Sequence, residues 1–225
     1  MHTGAWALLV VLWVILFLAG LAGDRPVATA IHRAGIDAIF FDAKHHTRWF
    51  TTVLKFPGTF WFTLSIVGGL LGLKKLRPRQ AVFILLAGVM SGINWLIKWG
   101  VGRMRPFKFP GSDQLYPFRF QPFCNGLWGL FHQKDLSFPS GHSCTAFSLA
   151  MAIALVKPKW AWIFLILACM VGAERVLESA HYLSDVVAGA GVGAGGTLVV
   201  YWLMGRLENP ALRSTSEPAS ESRAL

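Results

Sequence analysis

At 225 residues the chain has room for one domain, and a composition that is 54% hydrophobic and only 14% charged is too apolar for an ordinary soluble protein, which points to a membrane protein. The net charge of +10 suits anionic lipid or phosphate partners; the basic residues are dispersed between apolar runs without a recognition motif, which argues against nucleic acid. Cys124, Cys144 and Cys169 show neither a disulfide framework nor metal-ligand spacing.

Apolar runs at residues 5–23, 57–73, 81–97, 143–156, 160–173 and 186–204 predict an all-α fold, a bundle of six transmembrane helices. The first run has a competing reading as a signal peptide, because Ala19, Gly20, Ala22 and Gly23 resemble a cleavage site. Residues 1–5 carry no Lys or Arg and the run is long for a signal core, so an uncleaved helix is favoured. Between the first two runs, Arg33, Asp37, Lys44 and Arg48 fall on one helical stripe and Ile36, Phe40 and Ala43 on another. That pattern predicts an amphipathic helix lying in the membrane interface over the mouth of the bundle. Within it, His45-His46 reads as a solvated or interfacial pair rather than a metal site.

The fourth and fifth runs are 14 residues each, short of the roughly 17–25 that cross a hydrocarbon core. Re-entrant or buried placement is the alternative; they count as spans here because His142 and Arg175 at their ends can face a water-filled mouth. The sixth run holds Gly189, Gly191, Gly193, Gly195 and Gly196, a formal match to a dinucleotide fingerprint with no strand before it. Close helix packing through small residues is the expectation. The chain divides into residues 1–56 (first helix and interfacial segment), 57–205 (core helices) and 206–225, a Ser-, Glu- and Pro-containing tail expected to be disordered.

Lys74, Lys75, Arg77 and Arg79 in one short link, and Lys157 and Lys159 in another, place both links in the cytoplasm by the positive-inside rule. Six crossings then put both termini inside and the long loop of residues 107–138, punctuated by Pro110, Pro117 and Pro122, outside. Three polar clusters fall together on that outer side.

The first cluster is Lys98 to Arg105-Pro106. The two cations are seven apart and share a helical stripe if the helix continues to the proline, which ends it near Arg105. A flexible ammonium beside a planar fork suits a phosphate; snorkelling interfacial cations are the bland alternative. The second is Pro139-Ser140-Gly141-His142, in which Ser140 can cap the fourth helix, free amides attract an anion and Gly141 allows close approach. An ordinary capped helix start would look the same in isolation. The third is Arg175, His181 and Asp185. The last two are spaced as neighbours on a helical face, where a carboxylate on one ring nitrogen frees the other for attack or proton transfer. Alone, it reads equally as a surface ion pair.

Taken together, Lys98-x6-Arg105-Pro106, Pro139-Ser140-Gly141-His142 and Arg175-x5-His181-x3-Asp185 resemble the signatures of the type 2 phosphatidic acid phosphatase family, in its order and near its separations. The resemblance covers residues 57–205. It departs at Glu174, where the family has a serine, which removes a phosphate hydrogen bond and adds a negative charge. The resemblance implies a membrane lipid-phosphate phosphatase with His181 as nucleophile, Asp185 as its orienter and His142 as proton donor to the leaving alcohol. It also implies that Lys98, Arg105, Arg175, Ser140 and Gly141 hold the phosphate oxygens. No carboxylate cluster suggests a metal site, and no cofactor is implied. The expected setting is a bacterial cytoplasmic membrane with the site on the outer face, acting on phosphatidate, phosphatidylglycerophosphate, a polyprenyl diphosphate or a lipid A phosphate. A lipid-to-lipid phosphotransferase is the competing activity. A soluble vanadium haloperoxidase, a relative of the same family, is disfavoured by the six apolar runs. The sequence does not specify an oligomeric state.

Overall fold

The computed structural model describes residues 3–40, 49–106, 120–124 and 126–207, with side chains from residue 7 to residue 205. Secondary structure among these residues is helical apart from two isolated antiparallel bridges. The helices are α1 (Thr3–Arg33), α2 (Asp37–Phe40), α3 (Trp49–Lys55), α4 (Phe60–Gly72), α5 (Pro78–Met90), α6 (Asn94–Val101), α7 (Gly141–Val156), α8 (Ala161–Leu177) and α9 (Leu183–Leu207).

Helix α1 is longer than the apolar run that predicts it, continuing past Asp24, Arg25 and Pro26 to Arg33. Asp24 reads in sequence as the end of a span, but it is buried and satisfied: its carboxylate accepts from the Ser184 backbone N–H at 2.8 Å and from Arg103 Nη2 at 2.7 Å. Gly35, at φ +64°, turns the chain after α1. The single interfacial helix expected over residues 24–56 is therefore not formed among the described residues. Its start belongs to α1, the one-turn α2 follows after Gly35, and α3 begins at Trp49. Lys44, His45, His46 and Arg48 lie outside the described residues, as does the tail after residue 207.

Among the described residues four helical stretches are long and apolar enough to cross a membrane: residues 7–33, Pro78–Val101, Pro158–Leu177 and Leu183–Gly205. A fifth arises if Trp49–Gly58 and Phe60–Gly72, bent by 65°, count as one span. Pro57 and Gly58 make that bend, and Thr59 restarts the helix by accepting from the Phe62 N–H at 3.3 Å. A Cβ on Gly58 would come within 2.8 Å of the His142 carbonyl oxygen and of Val171, so the bend presses directly on the start of α7. The third span is interrupted at Ser91–Ile93 by a 3-10 turn between α5 and α6.

Helix α7, apolar but only 16 residues long, falls outside these candidate spans, and burial explains its length. It runs through the middle of the bundle against α5, α8 and α9, so it presents little of itself to lipid. Cys144, Ala152 and Ile153 are inaccessible, and Leu149 and Ile153 join Ile84, Ala87, Ala168, Val171 and Val200 in the core. The glycines of α9 serve three contacts at once. Gly189 and Gly193 lie against the backbone of α7 at Ser140 and Cys144, and Gly191 lies against Trp13 of α1. Their role is close packing through small residues, as the sequence suggests. Trp13 also donates to the Val187 carbonyl at 3.0 Å, and Ser148 and Thr197 share a buried hydrogen bond at 3.0 Å between α7 and α9.

Gly193→Ala should therefore lower the thermal unfolding temperature in detergent, at a cost of about 1–3 kcal/mol for overpacking. Gly195→Ala, where a Cβ meets nothing within 4 Å, should leave it unchanged or raise it slightly through helix propensity. Equal effects at both positions would contradict the packing assignment.

Candidate active site

All three polar clusters arrive at one end of the bundle. Lys98 sits in the last turn of α6, Ser140 caps α7 with Gly141 and His142 in its first turn, Arg175 is in the last turn of α8, and Asp185 opens α9. His181 lies in the short link between α8 and α9. Lys98, Ser140, Arg175, His181 and Asp185 are buried, and His142 is partly so.

Helix α6 ends earlier than the proline suggests. Gly102, at φ +64°, caps it, donating to the Lys98 carbonyl at 2.8 Å, so Lys98 and Arg105 do not share a helical stripe. Gly102 is required there twice over, since its positive φ disfavours other residues and a side chain would run into the Gln121 carbonyl. Beyond it, two returns of the long loop hold the chain. The Gln121 N–H donates to the Gly102 carbonyl at 2.8 Å, the Ser137 N–H to the Arg103 carbonyl at 2.7 Å, and the Arg105 N–H to the Asp135 carbonyl at 3.1 Å. Arg105 Nε donates to the Leu136 carbonyl at 3.0 Å. Arg105 is thus aimed by loop hydrogen bonds rather than by helical periodicity.

Ser140 behaves as expected of a helix cap: its hydroxyl accepts from the Ser143 N–H at 3.4 Å and from the Ser143 hydroxyl at 2.9 Å. Its own N–H donates to the Asp185 carbonyl at 2.9 Å, which ties the second cluster to the third. Gly141 is close to α6, with a Cβ there falling 2.9 Å from Asn94 Nδ2.

The His181–Asp185 contact is looser than a helical i,i+4 pair. Because His181 precedes α9, its Nδ1 stands 3.7 Å from Asp185 Oδ2 and has no hydrogen-bond partner among the described residues. Burial first, then Arg105, Lys98, Arg175 and His142, holds the His181 imidazole well below the ordinary histidine range. The sign follows from physics: a low-dielectric site and nearby positive charge both oppose a second proton on the ring.

Sequence reasoning missed the group that fixes Asp185. Arg103, 1% exposed, donates from Nη1 to Asp185 Oδ1 at 2.6 Å and to the Ser184 hydroxyl at 2.7 Å, and from Nη2 to Asp24. Its guanidinium lies 4.1 Å from the Tyr182 ring centroid, and the Tyr182 N–H takes the other Asp185 oxygen at 2.8 Å. The signal was available, since an acid in the first apolar segment and a base beside a later one are costly near lipid unless they pair. Also missed was Glu178, which with Glu174 contacts Arg175; burial raises its carboxyl above the usual range, against the opposing pull of Arg175. Among the described residues no group of three or more His, Cys, Asp or Glu side chains is arranged to hold a metal ion. Replacing Arg103 by Met would strand Asp24 and Asp185 as buried carboxylates, a loss of about 3–5 kcal/mol. Asp24→Asn should cost less, because the amide oxygen still accepts from Ser184. Unfolding temperatures in detergent check the order.

Comparison with known proteins places this geometry. Residues 79–208 match the model of the PAP2 superfamily. The chain is 40% identical to the bacitracin transport permease protein BcrC of Bacillus licheniformis over 91 residues, covering 40% of this chain and 44% of that protein. It is 30% identical to a lipid A 1-phosphatase of Rhizobium etli over 189 residues, 84% of this chain and 61% of that one. The chain thus spans about half the length of these curated relatives. In fold it is similar to the crystal structure of a transmembrane PAP2 type phosphatidylglycerolphosphate phosphatase from Bacillus subtilis. The TM-score is 0.56 at 18% identity, over 91% of this chain and 98% of that one. With more than half of its length matched and its three clusters gathered at one end of a helical bundle, the chain belongs to the PAP2 superfamily.

Proposed function

We propose that this chain is an integral membrane phosphatase that hydrolyses a lipid phosphate through a phosphohistidine intermediate. The observation that carries the reading is the gathering of Lys98, Arg105, Arg175 and His142 near the buried His181, where burial and these groups hold its imidazole well below the ordinary histidine range. A neutral imidazole has the lone pair an in-line attack on phosphorus requires. In this reading His181 attacks the phosphoryl group, and the P–O bond to the lipid breaks as His142 gives its proton to the leaving oxygen. Lys98, Arg105, Arg175, the Ser140 hydroxyl and the Gly141 amide stabilise the equatorial oxygens, the kind of positioning and charge compensation phosphoryl transfer needs. Water, deprotonated by His142, then attacks the phosphohistidine and regenerates both histidines. Asp185, locked by Arg103 and the Tyr182 amide, stands where it can stabilise the His181 ring as positive charge develops.

Relatives named as lipid A phosphatases and undecaprenyl-diphosphatases support a lipid carrying a phosphate monoester or diphosphate as the substrate class. The alternative, transfer to a second lipid, uses the same first step and differs only in the acceptor. We further infer six crossings with the bent α3–α4 pair and the short α7 included, the Lys74–Arg79 link in the cytoplasm, and the site at the outer face. The Leu8, Val10, Ile15 and Leu16 side chains, all more than half exposed in the isolated chain, supply part of the lipid-facing coat.

The direct test is release of inorganic phosphate by the purified chain in detergent from a panel of phosphatidate, phosphatidylglycerophosphate, undecaprenyl diphosphate and lipid A, with His181→Ala as control. Release from at least one lipid, abolished by the substitution, is expected; label appearing in a second lipid instead would favour the transferase. Arg105→Lys keeps the charge but loses the fork and should lower turnover by about 10²–10³. Because burial and the neighbouring cations hold the His181 imidazole well below the ordinary histidine range, the ring should stay neutral as pH falls through that range. The acid limb of kcat/KM should therefore appear only at lower pH; an acid limb centred above pH 7 would contradict a neutral His181.

A further inference from the structure

Arg175 does not offer its fork to the site as an open pair of donors. Glu174 Oε2 accepts from Arg175 Nε at 2.5 Å and Glu174 Oε1 from Nη2 at 2.6 Å, and the Glu178 carboxylate also pairs with Nη2. Glu174, Arg175 and Glu178 are 3%, 4% and 4% exposed, so this ion cluster is shielded from bulk water. Two carboxylate oxygens across Nε and Nη2 reproduce the bidentate bite that a phosphate takes on an arginine. Adjacent residues on a helix do not face one another. Glu174 therefore has to fold back across the end of α8 to make this contact, which the serine of the family signature is too short and uncharged to do. Lys55, Arg105 and Asp185 also bear on this cluster, but Glu174 makes the two-point contact with the Arg175 fork.

We propose that Glu174, backed by Glu178, is an internal anion that competes with a phosphate group for the Arg175 fork, so that phosphate binds there by displacing it. Position 174 then sets the phosphate affinity of the site. The inference rests on the proposed reading of the pocket as a phosphate site. It has a functional consequence: a lipid substrate keeps its hold through its apolar chains while it competes with Glu174, whereas free phosphate has no such anchor and is expelled. The carboxylate pair thus suppresses product inhibition.

The experiment titrates inorganic phosphate into the full-length chain in detergent, following binding by calorimetry and, separately, competitive inhibition of lipid hydrolysis. Glu174→Ser and Glu174→Gln should bind phosphate tenfold or more tighter than the wild type, and the gain should vanish when Arg175→Ala is added. Equal or weaker binding in both variants overturns the proposal and makes Glu174 a support for Arg175 instead of a competitor. Glu174→Gln keeps the volume and a hydrogen bond, so it decides the matter if the serine variant does not fold. Glu178→Gln applies the same test if neither does. Calorimetry separates the two readings. Tighter phosphate binding by Glu174→Gln in a chain that hydrolyses no lipid sinks the phosphatase and leaves the competition standing, whereas an active wild type with unchanged binding in the variants does the reverse.

Discussion

An arginine only 1% exposed persists inside a helical bundle when carboxylates balance its charge, and Arg103 has two, Asp24 on α1 and Asp185 on α9. That ion triad organises the end of the molecule where the polar clusters gather. It gives α1 a polar anchor on α9, reinforced by the Ser184 hydroxyl and amide. It pulls residues 103–105 of the long-loop segment inward, where the Asp135 and Leu136 carbonyls can orient Arg105. It also leaves the Asp185 carboxylate with neither oxygen free to rotate, since the Tyr182 amide takes the second. Removing one partner of such a buried group is far more costly than the net worth of the pair, which is why the three stand or fall together.

The charge of the pocket differs from a count of its cations. Lys98, Arg105 and Arg175 suggest a strongly positive cradle, but Glu174, Glu178 and Asp185 are buried among them. A dry site with three uncompensated cations would repel its own side chains and stabilise itself only with phosphate bound. The buried carboxylates offset part of that positive charge. Burial and the cations hold the His181 imidazole well below the ordinary histidine range, and its Nδ1 lies 3.7 Å from Asp185 Oδ2.

Much of the helical architecture was legible because apolar runs and breakers carry it. Each of the six runs falls largely on helix, although among the described residues only four stretches, or five with the bent pair counted, are long and apolar enough to cross a membrane; the Pro57-Gly58 bend falls where the second run begins, and the Ser140 cap follows from Pro139-Ser140-Gly141-His142. The failures share a cause. The first apolar run stops at Gly23, yet α1 continues past Asp24 because distant partners, Arg103 and Ser184, satisfy that buried carboxylate. Pro106 suggests a helix end near Arg105, but Gly102 with its left-handed backbone stops α6 first. Spacing put His181 and Asp185 on a common helical face, but a break before Leu183 moved the histidine into the link. Glu174 was visible as a departure from the family signature, yet its contact with Arg175 depends on a fold-back that no periodicity predicts.

The central claim is that the buried His181 imidazole becomes covalently phosphorylated. The most direct measurement mixes the purified chain with a lipid carrying a radiolabelled phosphate, quenches it in denaturant under alkaline conditions within a turnover, and maps the label. The account predicts protein-bound phosphate that is stable to base, released by acid, located on the peptide containing His181 and absent from His181→Ala. Label trapped in the wild type that persists in His181→Ala would place the nucleophile elsewhere and contradict the account.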